Sequence, residues 1–161
     1  MIAFINEPTK PPDSSCIAKM EGVAFYVPAT PEGVTFEPFT SREMGITGVV
    51  PVGWEEVTPG SVMRGRSVLD QTALFQLAVP GTTSRALATA FLARLGVDKL
   101  PDTSETYKTA IFTWRLYRIK DLTMEGQKVA LTIALADAEG RAYMVLLLAA
   151  PDEMDGLVTA V

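Results

Sequence analysis

The segment that most constrains this chain is Arg141–Ala149, because an extended strand of this sequence is apolar on both faces. Its alternating side chains are Tyr143, Val145 and Leu147 on one face, and Met144, Leu146 and Leu148 on the other. Successive side chains of a strand point to opposite faces, so neither side of this strand suits contact with water. We therefore expect it at the centre of a sheet that is covered on both sides.

The preceding segment, Gln127–Asp137, alternates large aliphatic residues with small or polar ones. This pattern is typical of a strand with one face in the core. A short loop that ends in glycine, Asp137–Gly140, separates the two segments and predicts an antiparallel hairpin. The small residues on the second face of the first strand, such as Ala130 and Ala134, indicate that a helix lies against that face.

Further elements complete the predicted order. Thr72–Val79 alternates as a strand, and Glu105–Asp121 is rich in β-branched and aromatic residues. Arg85–Leu95 follows capping hydroxyls and precedes Gly96, which predicts a helix. Pro151 suits the first turn of a last helix. Consecutive strands favour an antiparallel sheet, so we predict the α+β class, with an antiparallel β-sheet covered by helices in an α/β/α sandwich.

Proline and charge divide the chain. Eight of the 11 prolines lie before residue 60, and residues 1–60 carry the whole net charge of −5. Proline has no N–H for a strand ladder, so strands in this region belong at an edge. We expect residues 1–43 to be a Pro-rich acidic arm with short edge strands. Residues 44–161 then form the sandwich domain, which starts with a strand at Gly45–Val50.

Composition excludes several classes of function. The chain has no histidine and a single cysteine, Cys16, which rules out His-dependent catalytic triads, imidazole-bound metals and internal disulfides. We expect a protein that is not an enzyme, with no cofactor and no metal. No basic stripe supports nucleic-acid binding. The longest apolar run, Tyr143–Pro151, is far shorter than the roughly 20 residues of a membrane span.

Four arginines form one candidate site. Arg64 and Arg66 share a face if Ser61–Arg66 is extended, and Arg115 and Arg118 come from a later strand. If the four converge, their guanidinium groups could bind an anion or a carboxylate ligand. The alternative is a solvated face of the sheet, on which each arginine pairs with a nearby Asp or Glu.

Three aromatic residues form a second candidate site. Tyr107, Trp114 and Tyr117 could line a ligand groove, and the alternative is that they pack in the core. The adjacent carboxylates of Glu55 and Glu56 would point to opposite faces of a strand, which argues against a shared acid–base role.

The order of elements resembles the PsbP-like α/β/α sandwich superfamily, in the form of bacterial accessory or lipoprotein-type domains. The resemblance covers residues 44–161. It rests on Met44–Ile46 leading into the Pro-x-x-Trp turn Pro51–Trp54, on the strand Thr72–Val79, on the helix Thr82–Gly96, on the antiparallel run Thr106–Ala149, and on a closing helix from Pro151. It implies a binding, assembly or accessory role and carries over no catalytic residues.

Three hypotheses for function follow. The first is a non-enzymatic binding or assembly module whose partner is an unknown protein or a fused domain. The second is an accessory domain excised from a larger extracytoplasmic hydrolase, which the abrupt apolar end at Val161 favours. The third is a carrier of a small apolar or anionic ligand. The expected location is extracytoplasmic if a leader has been removed, and cytoplasmic otherwise.

Overall fold

The computed structural model of the chain describes residues 34–65, 70–102 and 104–157, apart from the side chains of residues 155 and 156. These residues form nine strands and two helices, so the fold is mostly β. The strands are β1 Phe36–Ser41, β2 Ile46–Pro51, β3 Glu55–Thr58, β4 Ser61–Met63, β5 Ala73–Pro80, β6 Glu105–Lys108, β7 Thr113–Met124, β8 Gln127–Ala138 and β9 Arg141–Ala149. The helices are α1 Ser84–Arg94 and α2 Pro151–Leu157.

Seven strands form the main sheet, in the antiparallel order β3-β4-β5-β9-β8-β7-β6. β9 is the central strand, and every residue from Ala142 to Ala149 is buried. The prediction from its two apolar faces is therefore confirmed. The Glu-Gly pairs at residues 125–126 and 139–140 connect β7 to β8 and β8 to β9. All four residues have positive φ, the geometry of a type I′ hairpin turn.

The predicted fold class is wrong, because among the described residues the second face of the main sheet is covered by a β-hairpin and one short helix rather than by a helical layer. β1 and β2 pair with each other and form a separate two-stranded antiparallel sheet. Ile46 and Val50 of this hairpin join the core on that face, and α2 adds Met154. The helix expected over the small side chains of β8 is only the seven-residue α2. The described part of the chain is thus mostly β, with two antiparallel sheets.

Close backbone contact holds the β1–β2 hairpin against the main sheet. Gln76 of β5 is 1% exposed, and its Nε2 donates a hydrogen bond to the carbonyl oxygen of Val49 at 2.9 Å. A Cβ on Gly48 would lie 2.6 Å from Oε1 of Gln76, so a larger residue at this position would force the Gln76 amide or the hairpin to shift. At the hairpin turn, a guanidinium nitrogen of Arg141 donates to the carbonyl oxygen of Met44 at 2.7 Å.

Helix α1 covers the opposite face and confirms the helix predicted over Arg85–Leu95 to within one residue at each end. Thr83 caps it by accepting a hydrogen bond from the amide of Ala86. Asp137 of β8 accepts from both the backbone N–H and the hydroxyl of Ser84, each at 2.6 Å. Gly96, at φ +73°, ends the helix in the left-handed conformation typical of a helix C-terminus.

Pro151 begins α2, as predicted. Within the described ranges, neither helix has the length and apolar character needed to cross a membrane.

Candidate functional site

An apolar pocket with a volume of about 700 Å³ lies between α1 and the main sheet. We call it the α1 pocket. Its floor consists of Ala73 and Phe75 of β5 together with Leu146 and Leu148 of β9. Phe91 and Leu95 of α1, Met63 of β4 and Met124 of β7 complete its apolar walls. The floor residues Ala73, Leu146 and Leu148 are 1%, 0% and 5% exposed, so the pocket opens directly onto the core.

The pocket exists because α1 is shorter than the strands beneath it. An 11-residue helix spans roughly 16 Å, whereas the eight residues of β5 span roughly 26 Å. The helix starts near the end of β5 and stops at Leu95, which leaves the start of β5 and the end of β9 beyond its last turn. The rings of Phe75 and Phe91, with centroids 5.3 Å apart, pack edge to face beside this opening.

Strand register places a small residue at the centre of the floor. Glu55 pairs with Met63, Met63 with Ala73, and Ala73 with Leu148, so these four side chains form one row across the sheet. Ala73 lies between two long side chains and has only a methyl group. The row therefore has a depression at its centre and a carboxylate at its outer end.

The described polar residues of the pocket are acidic or neutral: Glu55, Asp70, Gln71 and Glu125. Nε2 of Gln71 donates to Oε2 of Glu125 at 3.4 Å. Oε1 of Gln71 is buried and has no hydrogen-bond partner within the described ranges. None of the described lining residues is Lys or Arg. The pocket thus combines an apolar interior with carboxylates at its border.

A second cavity, of about 280 Å³, borders α2 and is polar. Arg64 binds Asp70 through two hydrogen bonds, of 2.9 and 3.1 Å, and binds Glu153 of α2 at 2.8 Å. The hydrogen bonds from Arg64 hold the pKa of Asp70 below its usual range, and the pairing with Asp70 raises the pKa of Arg64. This network links the end of β4 to α2.

The four arginines of the first candidate site occupy different places. Arg64 is in the network just described. Arg118 of β7 binds Glu105 of β6 at 2.7 Å and lines a separate cavity beside Pro151 and Met154. Arg115 is exposed, and its position three residues before Arg118 in the same strand puts it on the other face of the sheet. Arg66 lies outside the described residues.

The three aromatic residues of the second candidate site divide between the two faces of the sheet. Trp114 is fully buried in the core under the β1–β2 hairpin, next to Phe112 and Tyr143. Tyr117 is buried in the core under α1. Tyr107 packs at the edge of the core under the β1–β2 hairpin, and its hydroxyl donates a hydrogen bond to the carboxylate of Glu105 at 2.7 Å. Burial, together with this hydrogen bond, raises the pKa of Tyr107.

Sequence reasoning missed the α1 pocket. The strand pattern did place Phe75 on an inward face, and the helical stripe did place Phe91 and Leu95 there. Both patterns identify core-facing positions, but neither shows where the helix ends relative to the strands. The signal that could have indicated an uncovered end of the strand is a comparison of predicted lengths. Eleven helical residues span roughly 16 Å, whereas eight strand residues span roughly 26 Å.

No protein-family model and no curated protein matches this chain. Within residues 34–65, 70–102 and 104–157, no group of three or more His, Cys, Asp or Glu side chains could hold a metal ion.

Proposed function

We propose that this chain is a non-enzymatic binding domain that holds a small, largely apolar molecule in the α1 pocket. The observation that carries the proposal is the pocket itself. Its volume of about 700 Å³ falls in the range of roughly 300–1,000 Å³ that is typical of small-molecule sites. Its interior is aliphatic and aromatic, and the polar groups at its border are carboxylates and one amide, which can orient a ligand.

Apolar burial supplies the binding free energy in such a site. Removing apolar ligand surface from water is worth about 25 cal/mol per Å². Ala73, Leu146 and Leu148 are already buried by the fold, so they need no rearrangement to form the floor. A pre-formed floor lowers the entropic cost of binding.

Fluorescence titration with the neutral apolar dye N-phenyl-1-naphthylamine tests this proposal. We expect the dye to bind the wild-type chain with an increase in emission. Leu95→Trp should weaken binding by about tenfold. A Trp side chain at the mouth would displace roughly 60 Å² of dye contact, or about 1.5 kcal/mol.

Leu87→Trp is the matched control. Leu87 lies two helical turns before Leu95, is half-buried like it and packs against the same core, but it does not line the pocket. Dye binding to Leu87→Trp should equal that of the wild type. Equal weakening in both variants, or no saturable binding to a wild-type chain whose circular dichroism is that of a folded β protein, would contradict the proposal.

The other hypotheses stay predictions. Large exposed apolar side chains within the described ranges are Val52, Val57 and Ile111. Val57 lies in β3, Val52 in the turn before it and Ile111 between β6 and β7. A protein partner, a fused hydrolase domain and the PsbP-like resemblance draw no specific support from these positions. The ligand-carrier hypothesis draws support from the α1 pocket.

A further inference from the structure

We propose that the α1 pocket selects apolar molecules that carry a positive charge, such as hydrophobic amines, over neutral or anionic ones. This inference rests on the proposed function, because it concerns the head group of the ligand whose apolar part fills the pocket. The juxtaposition of an apolar interior with the exposed carboxylate of Glu125 at its border carries it.

The apolar part of such a ligand fits the interior. Phe75, Phe91 and Leu95 surround the space above Ala73, and each of these three side chains is half-buried. A chain of methylene groups laid along Ala73 and Leu148 would run across the strands toward the outer end of the row. That end carries the carboxylate of Glu55, which is the register partner of Met63.

The border carries the charge. Glu125 is exposed and occupies the first position of the β7–β8 turn, at φ +49°, so its backbone is held by the hairpin. The amide of Gln71 holds its carboxylate at 3.4 Å. Glu55 lies on the same border, and Asp70, which also lies there, is already paired with Arg64. A cationic head group at the mouth would approach the carboxylate of Glu125, whereas a fatty-acid carboxylate would meet like charge there.

Arg64 does not reverse this preference. It donates hydrogen bonds to two carboxylates and lines the neighbouring polar cavity rather than the α1 pocket. Its charge is thus already balanced by Asp70 and Glu153. A ligand anion would have to compete with both.

Three probes with the same alkyl chain separate the head-group effect from apolar burial: dodecylamine, dodecanol and dodecanoate. Each is titrated below its aggregation concentration at pH 7 as a competitor of N-phenyl-1-naphthylamine. We expect the wild-type chain to bind dodecylamine about twofold to fivefold more tightly than dodecanol, because the free energy of one exposed ion pair corresponds to an affinity ratio of this size. Dodecanoate should bind more weakly than dodecanol. Added salt should reduce both differences.

A matched pair of variants locates the effect. Glu125→Gln should weaken dodecylamine binding by about twofold to fivefold and leave dodecanol unchanged. Glu139→Gln is the control, because Glu139 occupies the same position, at φ +49°, in the β8–β9 turn and does not line the pocket. It should change neither affinity.

The outcomes distinguish this inference from the proposed function. Equal binding of all three probes, dodecanoate as the tightest ligand, or an unchanged amine preference in Glu125→Gln would overturn the head-group inference and leave the apolar pocket standing. Failure of every probe and of the dye would overturn the proposed function, and the head-group inference with it.

Discussion

Gly48→Ala would place a methyl group in the contact between the β1–β2 hairpin and the main sheet. The added Cβ would lie 2.6 Å from Oε1 of Gln76 and 2.7 Å from a ring carbon of Phe39. Gln76 is held by its hydrogen bond to Val49 and is 1% exposed, whereas Phe39 is half-buried. Relief of the contact therefore requires that the Gln76 amide turn away or that the hairpin move outward.

The size of the effect follows from these contacts. Forcing an extra methyl group into a packed core costs typically about 1–3 kcal/mol. Loss of the Gln76–Val49 hydrogen bond adds about 1 kcal/mol. Together these contributions lower the free energy of unfolding by roughly 2–4 kcal/mol, which for a chain of this size lowers Tm by roughly 4–16 °C. Without the contact, Gly→Ala within a strand would stabilise by roughly 0.5–1 kcal/mol, so the sign itself is diagnostic.

Urea unfolding, followed by tryptophan fluorescence, measures this effect. The cost of Gly48→Ala should shrink by at least about 1 kcal/mol in a Gln76→Ala background, where the opposing amide is gone. Thr47→Ala, at the neighbouring half-buried position, is the control: it removes only the exposed hydrogen bond to Thr40 and should lower the free energy of unfolding by less than about 1 kcal/mol, equally in both backgrounds. A stabilising Gly48→Ala, or an equal cost in both backgrounds, would refute the described docking of the hairpin.

Two further predictions concern charged groups. Asp137→Ala should lower the free energy of unfolding by roughly 1–3 kcal/mol in urea titrations, because the N-terminus of α1 loses two charge-assisted hydrogen bonds at Ser84. Asp98→Ala, in the exposed segment after α1, is the control and should leave the free energy of unfolding nearly unchanged. For Asp70, a folded-state pKa below the usual value means that its stabilisation is present above pH about 4 and is lost as pH falls below that. Asp70→Asn should therefore lower stability at pH 7 and flatten the acid limb of the stability profile, and a parallel acid limb would contradict the assigned pairing with Arg64.

Local patterns were sufficient to predict much of the main sheet. β9 is apolar on both faces and β8 alternates, and neither property depends on distant residues. Helix α1 was predicted for the same reason, since its capping hydroxyls and Gly96 are adjacent in sequence. The residues that specify each of these elements lie close together in the sequence, within one or two helical turns or within one β-hairpin.

The cover on the second face could not be predicted, because it depends on which strand pairs with which. A strand near Gly45–Val50 is evident from its β-branched residues, but its pairing with Phe36–Ser41 rather than with the main sheet is a tertiary property. Small residues on β8 indicate close packing, and a hairpin fills that space as well as a helix does. The prediction of a helical layer was therefore wrong although most of its strands are present.

The ion-pair partners of the charged residues could not be predicted from the sequence either. Glu153 lies 89 positions from Arg64, and nothing local distinguishes it from other acids. The position of the α1 pocket depends on the end of one helix relative to two strands. Such relations arise from packing and leave only a weak trace in the sequence.

NMR spectra of the chain labelled with ¹³C at methionine methyl groups test the central claim most directly. Met63 and Met124 line the α1 pocket, while Met44 and Met154 pack on the opposite face of the sheet. On titration with N-phenyl-1-naphthylamine, we predict that the signals of Met63 and Met124 shift with the Kd found by fluorescence and that those of Met44 and Met154 stay in place. Shifts confined to Met44 and Met154, or no shift of Met63 and Met124 at saturation, would contradict the assignment of this pocket as the binding site.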